Sequence, residues 1–473
     1  MARGCETCKK RRKKCDETRP ANVALNLVEY ALATRTMGRW CSDIINLLIT
    51  QLHCNLTDGL LGQTSCLKRR QSRGFLDGMH SLLANAAPTC TLISAARVVV
   101  LASIANRTRR HSLLATAQRR YGQLLIDFTT SLSQANSHIS SGHFLTAVLL
   151  GLYEIITSSQ ASPAMFLVHI QGIHSILRKG IHLLNRESAA QLYLPGTSLI
   201  LKEAGVSDEP GRGVFSPPLS DKPRRSLDQI IIKMSPLTAH VEQFLTNPHS
   251  SIRDLAQLQQ DLLALKDDII HWGDDRPSSW APELVGHVLD GTVNDSSYRC
   301  SGLVYKYFDQ YVAAAWSSWR SICILYLDHL VHLAQALGQE DIDEYRAKVH
   351  HLTAELKASI PYHLSGDLEM YVQHPNAETA SSNPQRIVGG LLLLHPLYVI
   401  ARCTTVAVSD REYFIRTLRW IGTGMGISQA LVLADYLQPN MQGPSSMQTS
   451  AVSFMDVLEG HFLISASMML EPS

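Results

Sequence analysis

SPAMFLVHIQGIHSILRKG, residues 162–180, decides the fold class. Ser162 before Pro163 has the form of a helix start, a capping hydroxyl followed by a residue whose missing N–H costs nothing in the first turn. Phe166, His169, Ile170, Ile173, Ile176 and Leu177 then recur at spacings of three and four, one apolar stripe on a helical period. Arg178 and Lys179 fall in the last turn, where cations face the negative end of the helix dipole, and Gly180 is the expected stop. An amphipathic helix with one face on a core is predicted.

Working outward, HFLTAVLLGLYEIIT (residues 143–157) is apolar nearly all round, the mark of a helix buried among other helices. Further helical patterns run over 251–272, 301–337, 340–358, 387–407 and 411–437. Alternating strand patterns bounded by hairpin turns are not found, so the expected class is all-α. Residues 205–226, with four prolines and three glycines, read as a loop between two helical blocks, and 374–384 as a second loop. The expected organisation is a head at 1–20, a linker or aberrant segment at 21–66 without a clear period, and a large multi-helix domain at 67–473.

The chain has 473 residues, 45% hydrophobic and 18% charged, a globular composition. Its net charge of +2 is uneven: residues 1–20 carry +5, so the rest carries −3, which points to a polyanion-binding tip. Of ten cysteines, seven are scattered and read as reduced thiols of an intracellular protein. No apolar signal region follows the basic start, and the apolar run at 387–401 is interrupted by His395-Pro396 and too short to span a bilayer. The chain reads as soluble, with no membrane partner.

The head holds the most specific motif. Cys5, Cys8 and Cys15 form C-x2-C-x6-C, and Lys9, Lys10, Arg11, Arg12, Lys13 and Lys14 fill the gap between the last two. Two thiolates at C-x2-C spacing bind one metal from a tight turn, but a closed structural zinc site needs four ligands. The basic run alone would also serve as a nuclear localisation signal, and a solvated tail with incidental cysteines is the plainest alternative.

The stretch from Arg3 to Pro20 resembles the first half of the fungal binuclear zinc-cluster (Zn2Cys6) transcription factors, in which six cysteines hold two zinc ions. The resemblance implies that Cys5, Cys8 and Cys15 are ligands and that Pro20 is the loop proline. It places Arg11 and Arg12 at base-reading positions in the major groove, with Lys9, Lys10, Lys13 and Lys14 on phosphates. It implies double-stranded DNA with CGG half-sites as partner, homodimers or heterodimers with related factors, a nuclear location and genes transcribed by RNA polymerase II.

The pattern then stops. Its fourth and fifth cysteines would stand where the chain has Asn22 and Leu25. Cys41, Cys54 and Cys66 follow at unrelated intervals, without a second tight C-x2-C turn. A misjoined exon after Pro20 would produce this break. Degeneration of the cluster, or completion by the distant cysteines, are the alternatives, and as written the chain is not expected to fold a two-zinc cluster.

The body resembles the fungal-specific regulatory domain that accompanies these clusters. The echoes are Leu152-Tyr153-Glu154, His169-Ile170-Gln171-Gly172 with Ile176 to Gly180, Tyr307-Phe308-Asp309 leading to Trp319-Arg320, His395-Pro396-Leu397-Tyr398, and Trp420-Ile421-Gly422 before Gln429-Ala430. The resemblance implies a helical module acting through dimerisation or ligand sensing.

Catalytic readings lose to packing. His169 with His174 and His329 with His332 lack a carboxylate completing a metal motif, so they are expected to be structural. Residues 422–426 (GTGMG) are expected to serve close helix packing, Glu154 to be a buried hydrogen-bond partner, and Trp316 and Trp319 to be core. No catalytic or cofactor-binding residues are assigned and no enzyme is expected. The expected function is sequence-specific, zinc-dependent DNA-binding transcription regulation. The alternative is a helical dimerisation or ligand-sensing protein that has lost DNA binding.

Overall fold

The computed structural model describes residues 87, 90–135, 139–180, 225, 227–246, 251–289, 298–340, 342–374, 387–438, 457–458, 460–461 and 463–464, all within the unit spanning 50–473. The head, the 21–66 segment and, apart from Arg225, the 205–226 loop lie outside the described residues. The described residues are all-α apart from one two-stranded sheet.

The first group comprises α1 (Thr91–Thr108), α2 (His111–Gln134), α3 (Ser141–Thr157) and α4 (Phe166–Gly180). Helix α1, rich in small and branched residues, is buried on most of its surface and packs on α2 and α3. The longer α2 buries only Leu113, Ala117, Leu124 and Phe128. Helix α3 is closed by a capping box between Ser140 and His143 and buries every residue from Phe144 through Tyr153, with Gly151 lying under Leu463 and His169.

Helix α4 confirms the period read at 162–180 but corrects its start. Ser162 is not the N-cap. Its hydroxyl is 3.1 Å from Ser159 Oγ in the turn that returns the chain from α3, and the helix begins at Phe166 after tight turns at Ala164 and Met165. The side chains of His174, Leu177, Arg178 and Lys179 lie outside the described residues.

The second group comprises α5 (Leu227–Thr246), α6 (Ile252–Leu263), α7 (Lys266–Ile270), α8 (Gln310–Ala336), α9 (Asp343–Leu364), α10 (Leu368–Gln373), α11 (Ile387–Arg402), α12 (Val408–Met425) and α13 (Ser428–Leu437). Helix α8 is the hub, packing on α5, α6, α9 and α11. The helical pattern expected over 251–272 is broken at Ala264–Leu265 and continues as α7 and two 3-10 turns. Tertiary bonds hold that irregular path: Trp319 donates its indole N–H to Ile269 O at 2.7 Å, and Trp316 to Trp280 O at 2.8 Å. Trp272 lies fully buried against both rings.

Within the expected all-α class the described residues include one antiparallel pair that no alternating pattern announces, β1 (Glu283–Val288) and β2 (Gly302–Lys306), with a register irregularity between Leu284 and Gly286. That irregularity and Gly286 spoil the two-residue alternation by which a strand is read. The helix expected from residue 301 starts instead at Gln310, where the Asp309 carboxylate accepts from Val312 N at 2.9 Å. No described helix is long and apolar enough to cross a membrane.

Two glycines set helix crossings. Gly426 ends α12 at φ 75°, and a Cβ there would meet Arg107 N at 2.8 Å, so the pattern expected over 411–437 divides into α12 and α13. A Cβ on Gly389 of α11 would overlap the His363 carbonyl oxygen of α9, a backbone atom that cannot swing aside. Gly389→Ala gains about 1 kcal/mol of helix propensity but must push the packed helices α9 and α11 apart. A net loss of about 2–3 kcal/mol is expected in urea denaturation; a loss below about 0.5 kcal/mol would show that the crossing has slack.

Candidate functional site

The residues expected to hold metal (Cys5, Cys8, Cys15) and to touch DNA (Lys9, Lys10, Arg11, Arg12, Lys13, Lys14) lie outside the described residues, as do Asn22, Leu25, Cys41, Cys54 and Cys66. Among the described residues no group of three or more His, Cys, Asp or Glu is placed to hold a metal ion. Three thiolates at C-x2-C-x6-C spacing do not make the six-thiolate donor set that the resemblance would require for two zinc ions, so these donors do not fit that group. The buried Cys323 and Cys403 have their thiols pushed well up by burial, which keeps them protonated and poor nucleophiles.

The most chemically loaded cluster in the first helix group joins Tyr121 of α2, Glu154 of α3 and His169 of α4. The Tyr121 hydroxyl donates to Glu154 Oε1 and lies 2.7 Å from His169 Nε2. An ionised carboxylate only accepts, so the phenol's proton is committed to Glu154 and His169 donates its Nε2–H to the phenol oxygen. Burial first, and then Glu154, push the Tyr121 phenol up; the same two causes take Tyr153, stacked on it at 4.0 Å, up to about 12. Both phenols therefore stay protonated. The cluster braces three helices rather than moving a proton, and Glu154 is the hydrogen-bond partner expected.

Helix α8 carries the other polar networks. Arg320 is fully buried, and its guanidinium donates to Tyr307 Oη at 2.8 Å, Ser359 Oγ at 2.9 Å and Glu355 Oε2 at 3.2 Å. Further along the same helix, Asp328 Oδ1 accepts from Thr405 N at 2.9 Å and Thr405 Oγ1 at 2.8 Å, holding the turn after α11. His332 Nε2 lies 3.4 Å from the other carboxylate oxygen and 2.9 Å from Thr404 Oγ1. Burial would raise the Asp328 pKa, but the bonds from His332 and Thr405 outweigh it and hold it below the usual carboxylate range.

The neighbouring His329 faces Thr238 Oγ1 at 3.3 Å, and burial pushes its pKa down to about 4. His329 and His332 thus point to different partners and share no ligand, in keeping with structural roles. His461 sits 2.9 Å from Ser318 Oγ and stacks on His395; burial lowers both, His461 to about 3.

Trp316 and Trp319 anchor the 264–281 segment through their indole N–H groups and rings, so they are packing residues that also donate. Gly422 packs under Leu431 of α13, the close helix approach expected for the 422–426 run. Sequence reasoning missed Asp328, Thr404 and Thr405, whose meeting spans 76–77 residues and leaves no local signal. It missed Asn106 for the same reason: its amide donates to Ile156 O, Gly426 O and Ser428 Oγ, tying α1 to the end of α3 and to the α12–α13 turn.

The chain is 30% identical over 377 residues to the transcription factor dbaG of Emericella nidulans, an alignment covering 79% of this chain and 88% of dbaG. No protein-family model and no solved structure matches the chain.

Proposed function

Because this chain belongs to the family of the transcription factor dbaG, we infer that it is a nuclear transcription regulator whose basic head binds double-stranded DNA and whose helical body sets its output. The observation that carries the reading is the extent of the likeness: it spans 88% of a protein named as a transcription factor, so it involves far more than a short motif. The head adds chemistry. Six consecutive basic side chains at residues 9–14 suit phosphate contacts, with Arg11 and Arg12 able to pair bidentately with guanine. The body offers braced helix junctions, which suit a regulatory module working on genes of RNA polymerase II as homodimer or heterodimer.

Cys5, Cys8 and Cys15 would hold at most one zinc ion between them, because each zinc takes about four ligands. A second reading, a helical regulator without its own DNA recognition, is favoured by Asn22 and Leu25 standing where further thiolates would be needed.

One experiment separates the two. The purified full-length chain is assayed for bound zinc by atomic absorption and for binding to CGG-containing and scrambled duplexes across a salt series. The first reading expects a preference for the CGG duplex that weakens steeply with salt, together with fewer than two zinc ions per chain. Absence of any CGG preference at low salt would favour the second reading, and two tightly held zinc ions would show that distant cysteines complete the cluster.

A further inference from the structure

We propose that the arginine-rich corner between α1 and α2, built from Arg109, Arg119 and Arg120, is a second, sequence-independent contact to the phosphate backbone of duplex DNA. The proposal rests on the reading of the chain as a DNA-binding regulator. Residues 78–126 contain six arginines and no aspartate or glutamate, a net charge of +6 beside the head's +5. With +2 for the whole chain, all other residues together carry −9. This acid-free segment is therefore strongly positive within a body of net negative charge, and Arg109, Arg119 and Arg120 flank its α1–α2 junction.

Arg109 and Arg119 are exposed and Arg120 is half-buried. Among the described residues none of the three is in an ion pair; Arg119 makes only a 3.4 Å bond to Thr116 Oγ1. Arg119 follows Ser112 by two helical turns on the exposed side of α2, so the stripe runs about 10 Å along the helix. Duplex phosphates recur every ~3.4 Å of axis on each strand, so both ends of the stripe meet phosphates within one helical turn of DNA.

One local preference is overridden in favour of positive charge. Arg109 is the αL cap of α1 at φ 53°, the conformation for which glycine is suited and the one non-glycine residue of positive φ among those described. Departures of this kind from local consistency are expected at functional surfaces.

The surface between the arginines selects the occupant. Ser112, Ala115 and Gln118 are exposed and none offers a large apolar anchor; the exposed Ile126 lies six residues beyond Arg120. Protein interfaces concentrate their binding energy on such anchors, whereas a phosphate backbone needs only charge and hydrogen-bond donors. The corner is also held rigid by Asn106, so little ordering accompanies binding.

The test uses the full-length chain and a fluorescent random-sequence duplex, with anisotropy read between about 50 and 200 mM salt. Replacing all three residues (Arg109→Gln, Arg119→Gln, Arg120→Gln) is expected to weaken binding at least ~10-fold and to reduce the slope of log K against log salt by about 2–3. Substituting lysine at the same three positions should keep the slope, and the preference for CGG over scrambled DNA should not change. Arg109→Gly is expected to raise Tm while weakening DNA binding, a combination a merely structural arginine would not give.

A variant with Lys9, Lys10, Arg11, Arg12, Lys13 and Lys14 all changed to Gln locates the failure, should there be one. Residual salt-sensitive binding by this variant, abolished by the corner triple, supports the proposal. No binding by this head variant, with the corner triple matching the wild type in slope and affinity, overturns the proposal and leaves the head's role intact. No duplex binding by the wild type overturns both. Polyglutamate that displaces the duplex from the corner at equal charge would assign it to an acidic protein and so overturn DNA as the occupant.

Discussion

Acidification from pH 7 to about 4.5 is expected to unfold the helical body. His329, His395 and His461 are almost fully buried, and burial holds each below its ordinary value: His329 at about 4, His461 at about 3 and His395 well below 6.5. Below pH 6.5 the unfolded chain takes up protons that these buried rings refuse, so stability falls as pH falls, by about 1.4 kcal/mol per unit for each group. For His329 and His461 together the loss at pH 4.5 is on the order of 5 kcal/mol, against a total stability of roughly 5–15 kcal/mol for a typical domain.

Asp328 contributes with the opposite dependence on ionisation but in a lower window. Its folded pKa is depressed, so its stabilisation is complete above about 4 and is lost only as pH falls further. Far-ultraviolet circular dichroism against pH measures the transition. A chain carrying His329→Gln and His461→Gln should lose helicity over a shallower range. Full helicity retained at pH 4.5, or an unchanged profile in the double variant, would show that other groups control acid stability.

Arg320→Ala is expected to cost about 3–5 kcal/mol. The guanidinium is buried from solvent with its side chain 1% exposed, and Tyr307, Ser359 and Glu355 all accept hydrogen bonds from it. Truncation leaves a cavity beside Trp316, over whose ring the guanidinium lies at 5.3 Å, and strands the Glu355 carboxylate, itself 26% exposed. Arg320→Met fills much of that volume and imports no charge. The Tyr307 and Ser359 hydroxyls, already 2.6 Å apart, remain bonded to each other. The methionine variant should therefore recover most of the loss in urea denaturation. If alanine and methionine destabilised equally, the charge and not the volume would be the dominant contribution.

How much of this was legible follows from the range of each interaction. The apolar period at 162–180 and the all-round apolar runs at 143–157 and 387–401 identify helices because a helix places residues three and four apart on one face. The start of α4 is not legible in the same stretch, because Ser162 commits its hydroxyl to Ser159, a choice made by the return turn from α3. The break after α6 is invisible because the bonds that hold it come from Trp316 and Trp319, some 36–50 residues away. Glu154 is legible as a hydrogen-bond partner, though it is half-buried, and the identity of its partner, Tyr121, depends on a helix 33 residues upstream.

The acid-free run at 78–126 is plain in the amino-acid order. That Arg109 takes the left-handed region is not, and neither is the bond by which Asn106 reaches Gly426 across 320 residues beside it. By itself the sequence determined the helical class and the clustering of cysteine and basic side chains in the head, since period and composition are properties of neighbouring residues. Only the tertiary structure decided where helices break, which histidines are sealed from protons and which arginines stay exposed. Those outcomes depend on burial and on hydrogen bonds between residues far apart in the chain.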